Sequence, residues 1–330
     1  MKILVTGGAG FVGHHLVEHI LKNTNWDIVV LDKLTYASNG LERLRDINCF
    51  NTNRVLVLNV DFSKPISEGV TKEIGQVDYI VHIGAESSVD KSLEDALPFA
   101  ISNVVGTTNL LQWVKQTQKQ LVKYIQFSTD EVYGPAPLGI FFNEWSVPKP
   151  SNPYAASKEG GDAMAYSFAH AFDIPIIITR TMNIIGERQH PEKFVPKTIR
   201  SILNNEKVVL HGNNKDNLSS RCWIHARNVA SAVMFLLDKG ITADMYHIVG
   251  EERTVLDIAN IICQEIKGRN LLDSEIEFID FHNARPGHDK RYAMSGAKLS
   301  NMGWQPQVDI EESIRRTVKW TLTNYKWLID

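Results

Sequence analysis

The chain has 330 residues and a mass of 37.2 kDa, enough for one large α/β domain or a domain carrying a smaller lobe. Its 35 basic and 38 acidic side chains leave a net charge of -3, which excludes the basic footprint that a nucleic acid or an anionic membrane surface requires. Apolar residues at 43% and charged residues at 22% exclude a disordered or fibrous chain.

The opening "MKILVTGG" enters a strand at once, without the apolar stretch and small-residue cleavage site of a leader, so a cytoplasmic protein is expected. No apolar segment approaches the roughly 20 residues of a spanning helix, and no membrane partner is expected. Further strands are predicted at "WDIVVLDK", "RVLVLNVD", "VDYIVHIGA", "VKYIQFSTD" and "IPIIITRT". Such continuous apolar runs suit strands covered on both faces, as in a parallel sheet. Between them, "FVGHHLVEHILKN" puts Val12, Leu16, Ile20 and Leu21 near one helical stripe, and "VVGTTNLLQWVKQ" does the same with Val104, Leu111 and Val114. His14 and His15 then read as surface residues rather than ligands. The alternation predicts an α/β doubly wound parallel sheet, a Rossmann arrangement.

After Thr181 the rhythm loosens. "LNNEKVVLHGNNKDNLSSR" reads as a loop-bearing strand pair, and "ARNVASAVMFLLDKG" with "DMYHIVG" as a return to the main sheet. The expected division is residues 1–182 as the NAD-binding domain, with a return segment near 225–250, and residues 183–330 as a smaller, interleaved nucleotide-sugar lobe. "IEESIRRTVKWTLTNYKWL" reads as an amphipathic closing helix. Cys49, Cys222 and Cys263 are odd in number and lack CxxC spacing, which argues against a disulfide framework or a structural zinc and for a reducing compartment. No metal site is expected.

In "VTGGAGFVGHH", Gly7, Gly10 and Gly13 follow the first strand and open the first helix. Glycine there permits a tight turn and lets a pyrophosphate approach the backbone, while the helix N-terminus attracts the anion. Asp32 ends the second strand at the distance expected of an acid that binds adenosine ribose hydroxyls, which favours NAD over NADP; Lys33 beside it pulls the other way. Asp61 falls on the same sheet edge, suited equally to adenine or to a strand-ending turn. In "NPYAASKEGG", Tyr154 and Lys158 stand one helical turn apart and share a face. A nearby ammonium together with a positive nicotinamide would favour the phenolate and make Tyr154 a base. The acidic pair Asp130 and Glu131 in "QFSTDEVYG" exceeds what a turn needs.

With "TGGAGFVG", "DKLTYA", "AESSVDKS", "NVVGTTNLL", "STDEVYG", "NPYAASK", "HPEKFVP", "RPGHDKRYA" and "GWQP" in family order, the chain resembles the extended short-chain dehydrogenase/reductases that act on nucleotide sugars, and among them the NDP-sugar 4,6-dehydratases. The resemblance implies a hydro-lyase using NAD, with a nucleotide-diphosphate sugar of the dTDP- or UDP-glucose type as substrate and a homodimer built on helices around 95–118 and 154–172. It implies that Thr129, Tyr154 and Lys158 serve oxidation at C4, that Asp130 protonates the leaving C6 hydroxyl, and that Glu131 removes the C5 proton. Gly7, Gly10, Phe11, Val12, Gly13, Asp32, Lys33, Asp61, Ala85, Ser128, Tyr154 and Lys158 would bind the cofactor. Ser87, Ser88, Asn183, Lys193, Arg221, Arg285 and His288 would bind the substrate. Two departures stand out: Cys222 follows Arg221 where the family has Asp, and Ser88 lies in a sugar-lining segment where the family has His. They leave open N-acetylglucosamine in place of glucose, inversion at C5, and epimerase or decarboxylase chemistry on the same scaffold.

Overall fold

In the computed structural model, which describes residues 1–279 and 291–329, the β-branched runs of the first half become strands separated by helices. β1 (Lys2–Thr6) leads into α1 (Phe11–Asn23), β2 (Asp27–Asp32) into a short α2 (Glu42–Asp46), and β3 (Val55–Asn59) into α3 (Glu68–Ile74). After β4 (Tyr79–His82) come α4 (Val89–Glu94), α5 (Leu97–Ala100) and α6 (Thr107–Thr117), the last two joined by a π-helical turn, Ile101–Gly106. β5 (Lys123–Thr129) precedes α7 (Pro153–Phe172), and β6 (Ile176–Thr181) follows. The rest of the chain adds β7 (Ile184–Ile185), α8 (Phe194–Leu203), β8 (Val208–His211), β9 (Ser220–His225), α9 (Ala226–Lys239), β10 (Asp244–Ile248), β11 (Glu251–Thr254), α10 (Val255–Lys267), β12 (Ile276–Ile279), β13 (Arg291–Tyr292) and a C-terminal helix, Ile310–Thr323.

Seven strands form one sheet in the order β10-β6-β5-β4-β1-β2-β3, parallel throughout, so the doubly wound α/β expectation holds. One face buries Ile3, Val5, Val30 and Val81 with α1 and α9, and the other buries Leu4, Val29, Ile80 and Ile176 with α6 and α7. Strand order reverses between β1 and β4, which opens a crevice at their carboxyl ends where a ligand can sit. β10 arrives from far along the chain to extend the sheet beside β6.

The expected strand pair in the Asn-rich stretch does not form. β8 pairs in parallel with β12, while β9 joins a separate sheet with β7, β11 and β13, and the two strands meet only at a Gly212–Leu218 bridge. The reason is burial: Val208 and Leu210 on β8 enter a second core with Ile199, Ile258, Ile262 and Ile314, and that core is completed by Ile276 of β12.

His14 and His15 are also not on the surface. α1 is covered by the sheet on one side and by α9 on another, so a stripe drawn for one contact missed the second. His15 Nε2 lies 3.1 Å from the Glu187 carbonyl oxygen, and burial pushes both imidazoles well below their usual value, which keeps them neutral.

Gly13 marks where α1 meets the first loop: a Cβ there would lie 2.1 Å from the Gly7 carbonyl oxygen and 2.6 Å from Gly8 Cα. Because both obstacles are backbone, we expect Gly13→Ala to cost roughly 1–3 kcal/mol. Thermal unfolding would register this as a lowered Tm, and an unchanged melting curve would show that the loop can yield.

Candidate active site

A cleft of about 390 Å³ opens at the carboxyl ends of β1, β2, β4, β5 and β6, within the range of roughly 300–1,000 Å³ usual for ligand sites. Gly7, Gly10, Phe11, Val12, Gly13, Asp32, Lys33, Asp61, Ala85, Ser87, Ser128, Thr129, Asp130, Glu131, Tyr154, Lys158, Asn183 and Lys193 all line it.

At one end, α1 begins at Gly10 with no side-chain cap and no acid in its first turn, so its amides and positive dipole end face the cleft. Gly7 has φ 68°, and a Cβ there would lie 2.7 Å from the Gly84 backbone. These features fit a pyrophosphate cradled by backbone. Asp32 is buried and accepts from Ala9 N at 3.0 Å and Leu34 N at 2.8 Å. Burial raises its carboxyl, while the two amides and Arg43 oppose that. Each oxygen keeps a lone pair for a ribose hydroxyl. Lys33 is engaged by Asp61 at 3.2 Å, and Asp61 also accepts from Ser63 N at 3.0 Å and Ser63 Oγ at 2.6 Å.

At the other end, β5 stops at Thr129 and the chain turns into a single 3₁₀ turn, Asp130–Tyr133. The Thr129 hydroxyl causes the break by accepting from Glu131 N at 3.3 Å, which caps the turn. It also donates to Asp130 Oδ1 at 3.2 Å and hydrogen-bonds the Tyr154 phenol. A regular strand would send adjacent side chains to opposite faces; the turn lets Asp130 and Glu131 reach one cleft. Asp130 is 4% exposed, and its Oδ2 has no hydrogen-bond partner among the described residues. Burial first, then the Glu131 charge, push its carboxyl up to about 7, with Arg221 and Thr129 pulling back.

Tyr154 and Lys158 sit in the first two turns of α7. Burial and the charges of Glu131 and Asp130 push the phenol up, against the Thr129 hydrogen bond. The protein's own groups thus favour the neutral phenol. Lys158 turns instead to the Phe127 carbonyl, donating at 2.6 Å, and burial lowers its ammonium to about 8 while Asp162 opposes the shift.

Residues 4–317 match the family described as GDP-mannose 4,6 dehydratase. The chain belongs to this family. It is 34% identical to dTDP-D-glucose 4,6-dehydratase of Homo sapiens across 98% of this chain and 91% of that one. The dTDP-glucose 4,6-dehydratase of Escherichia coli is 35% identical across 99% and 94%. Among solved structures, the Streptomyces venezuelae dTDP-glucose 4,6-dehydratase with NAD and TYD bound superposes with a TM-score of 0.88 at 33% identity, covering 100% of this chain and 99% of that one. The Thermus thermophilus UDP-glucose 4-epimerase in complex with NAD gives 0.83 at 28%, covering 97% and 98%.

Not every residue singled out in this dehydratase-family chain meets at the cleft. Ser88 is not among the described lining residues; it caps α4, its Oγ accepting from Lys91 N at 3.4 Å. Arg221 lies on β9 outside that lining, with its guanidinium 4.8 Å from the Tyr292 ring and Nη1 donating to the Ser220 carbonyl at 2.8 Å. Arg285 and His288 lie outside the described residues. Asn152 and Asn103 were missed by the sequence reading. Asn103 Nδ2 donates to the Glu86 carbonyl at 2.9 Å and to Ser157 Oγ at 2.8 Å, which fixes the cleft wall at Glu86 against α7. The Asn152-Pro153 pair at the head of "NPYAASK" carried a cap signal that could have been read. Among the described residues no group of His, Cys, Asp or Glu is arranged to hold a metal, and no helix is long and apolar enough to cross a membrane.

Asp130 gains a proton more readily folded than unfolded, so its contribution to stability is full below about pH 4 and is lost as pH rises through about 7. Asp130→Asn mimics the protonated form. Its Tm should exceed that of the parent by several degrees at pH 8 and match it near pH 4; equal melting curves at both pH values would contradict the buried, strained carboxylate.

Proposed function

We propose that this protein is an NAD-dependent hydro-lyase that converts a nucleotide-diphospho-hexose of the dTDP- or UDP-glucose type to its 4-keto-6-deoxy sugar. The observation that carries this reading is a protonatable carboxyl, Asp130, buried beside a second carboxylate, Glu131, in the cleft that holds Tyr154. Oxidation alone needs one base; loss of water also needs an acid for the leaving hydroxyl and a base for the neighbouring C–H. The dehydratases and epimerases similar to this chain, several solved with NAD, support the cofactor and the substrate class.

NAD⁺ supplies the hydride acceptor for C4, the donor for C6 and a positive charge over the cleft. Gly7, Gly10, Phe11, Val12 and Gly13 hold its pyrophosphate, Asp32 its adenosine ribose, and Lys33, Asp61, Ala85, Ser128 and Lys158 flank the remainder. Tyr154, helped by Thr129, takes the C4 hydroxyl proton, and the added positive charge offsets the neighbours that raise its phenol. The 4-keto group then acidifies the C5 hydrogen. Glu131 removes that proton, Asp130 delivers its own to the C6 hydroxyl, and the C6–O bond breaks to release water. C6 is reduced, Glu131 returns a proton to C5, and no net redox change results. Ser87, Asn183 and Lys193, with Arg221, bind the sugar nucleotide; residues 1–182 with 225–250 serve the cofactor and 183–330 the sugar nucleotide. Exposed Leu97, Ile101 and Val105 on the α5–α6 run, with Tyr166 and Phe172 on α7, support a homodimer through those helices.

The Asp130→Asn, Glu131→Gln double variant should lose at least about 100-fold in water loss and C5 solvent-deuterium exchange. In the parent, elimination should decline as pH rises through about 7, where Asp130 gives up its proton. Mass spectrometry of dTDP-glucose, UDP-glucose, GDP-mannose and UDP-N-acetylglucosamine after incubation should show loss of about 18 Da, one water, from a glucose nucleotide; unaltered substrates, or an epimer of unchanged mass, would overturn the reading.

A further inference from the structure

Asn152 is 4% exposed and precedes the first residue of α7. Its two amide atoms do different work. Oδ1 accepts from Ala155 N at 2.8 Å and caps the helix, which sets the turn that carries Tyr154. Nδ2 donates to Glu131 Oε2 at 3.0 Å, on the 3₁₀ turn after β5. The other helix caps in the first half join only backbone to backbone or reach into their own helix; this one spans from α7 to a carboxylate in the cleft. Pro153 at the first helical position has no N–H to satisfy and fixes φ, so the Asn152 side chain is held at this junction.

We propose that Asn152 is a positioning residue that aims the Glu131 carboxylate at the sugar while fixing the helix that presents Tyr154. The proposal rests on the dehydratase reading above. One side chain thereby sets the distance between the group that serves C4 and the group that serves C5. Its donor also spares the ionised form of Glu131, because a hydrogen bond to a carboxylate stabilises the charge.

The two roles separate by substitution. Asn152→Asp keeps a good cap but replaces the donor with an oxygen that repels Glu131; Asn152→Ser keeps the cap and falls short of Glu131. With glucose nucleotide and NAD⁺, both variants should oxidise C4 at near the parental rate, seen as the near-ultraviolet absorbance of reduced nicotinamide in a single turnover. C5 solvent-deuterium exchange and water loss should fall by about 10- to 100-fold, the range for losing one hydrogen bond to a charged group. Reduced nicotinamide should therefore accumulate in the variants and not in the parent. Parental elimination rates in both variants would overturn the proposal. So would an equal fall in oxidation and elimination, which marks a cap and nothing more. If Asn152→Asp does not fold, the serine variant decides. Failure of the parent itself to release water would instead sink the dehydratase reading, so the two failures are distinct.

Discussion

Two adjacent carboxyl groups have to share one dry cleft, and much of the surrounding structure holds them there. Like charges at this separation cannot both ionise cheaply, so the cost falls on Asp130, the more buried of the two. The turn that carries them would relax toward solvent unless anchored. Its far half supplies the anchor: Val132 and Tyr133 are buried, the Tyr133 hydroxyl lies 2.7 Å from His247 Nε2, and Phe142 stacks on its ring at 5.2 Å. Hydrophobic burial of two residues thus holds the strained pair before them.

The same logic extends to α7. Arg180 on β6, 2% exposed, bonds Asp162 at 3.1 Å and Glu159 at 2.6 Å on that helix, and its guanidinium lies 4.7 Å from the Tyr133 ring. A buried ion pair adds little net stability, because desolvation offsets the attraction, yet it tolerates only one geometry. Here it joins β6, α7 and the 3₁₀ turn in a single arrangement. Tyr154, Lys158 and the acidic pair are therefore placed by one charged junction and two apolar anchors rather than by loop chemistry.

What was legible in the sequence is what local rules control. The β-branched runs, the glycine loop and the Tyr154–Lys158 spacing each depend on neighbours a few residues away, and each appears where the pattern placed it. What was not legible depends on distant partners. His14 and His15 are buried because α9, more than 200 residues on, covers them. Ser88 looked like a sugar contact and serves as a helix cap; β8 passes over its neighbour in sequence for β12. The direction of the Tyr154 phenol was also hidden, since it follows from how deeply Glu131 and Asp130 are packed against it.

Cys222 shows how a departure can be read once its surroundings are known. It is 2% exposed, and burial with the nearby charges of Glu252 and Asp130 pushes its thiol up to about 12, so at neutral pH it carries no charge. A carboxylate at this position, as the family resemblance implies, would add a third negative group near Asp130 and raise it further. It would also compete for Arg221, whose charge is the largest influence pulling Asp130 back. With a neutral thiol in place, Arg221 acts on Asp130 undiluted. Glu252, the other nearby acid, is spoken for by Arg291 at 2.7 and 3.0 Å and by Ser220 at 2.8 Å. The cysteine therefore works by what it does not contribute: it fills a small volume behind the cleft and leaves Asp130 poised near neutrality, where an acid can both hold and release a proton.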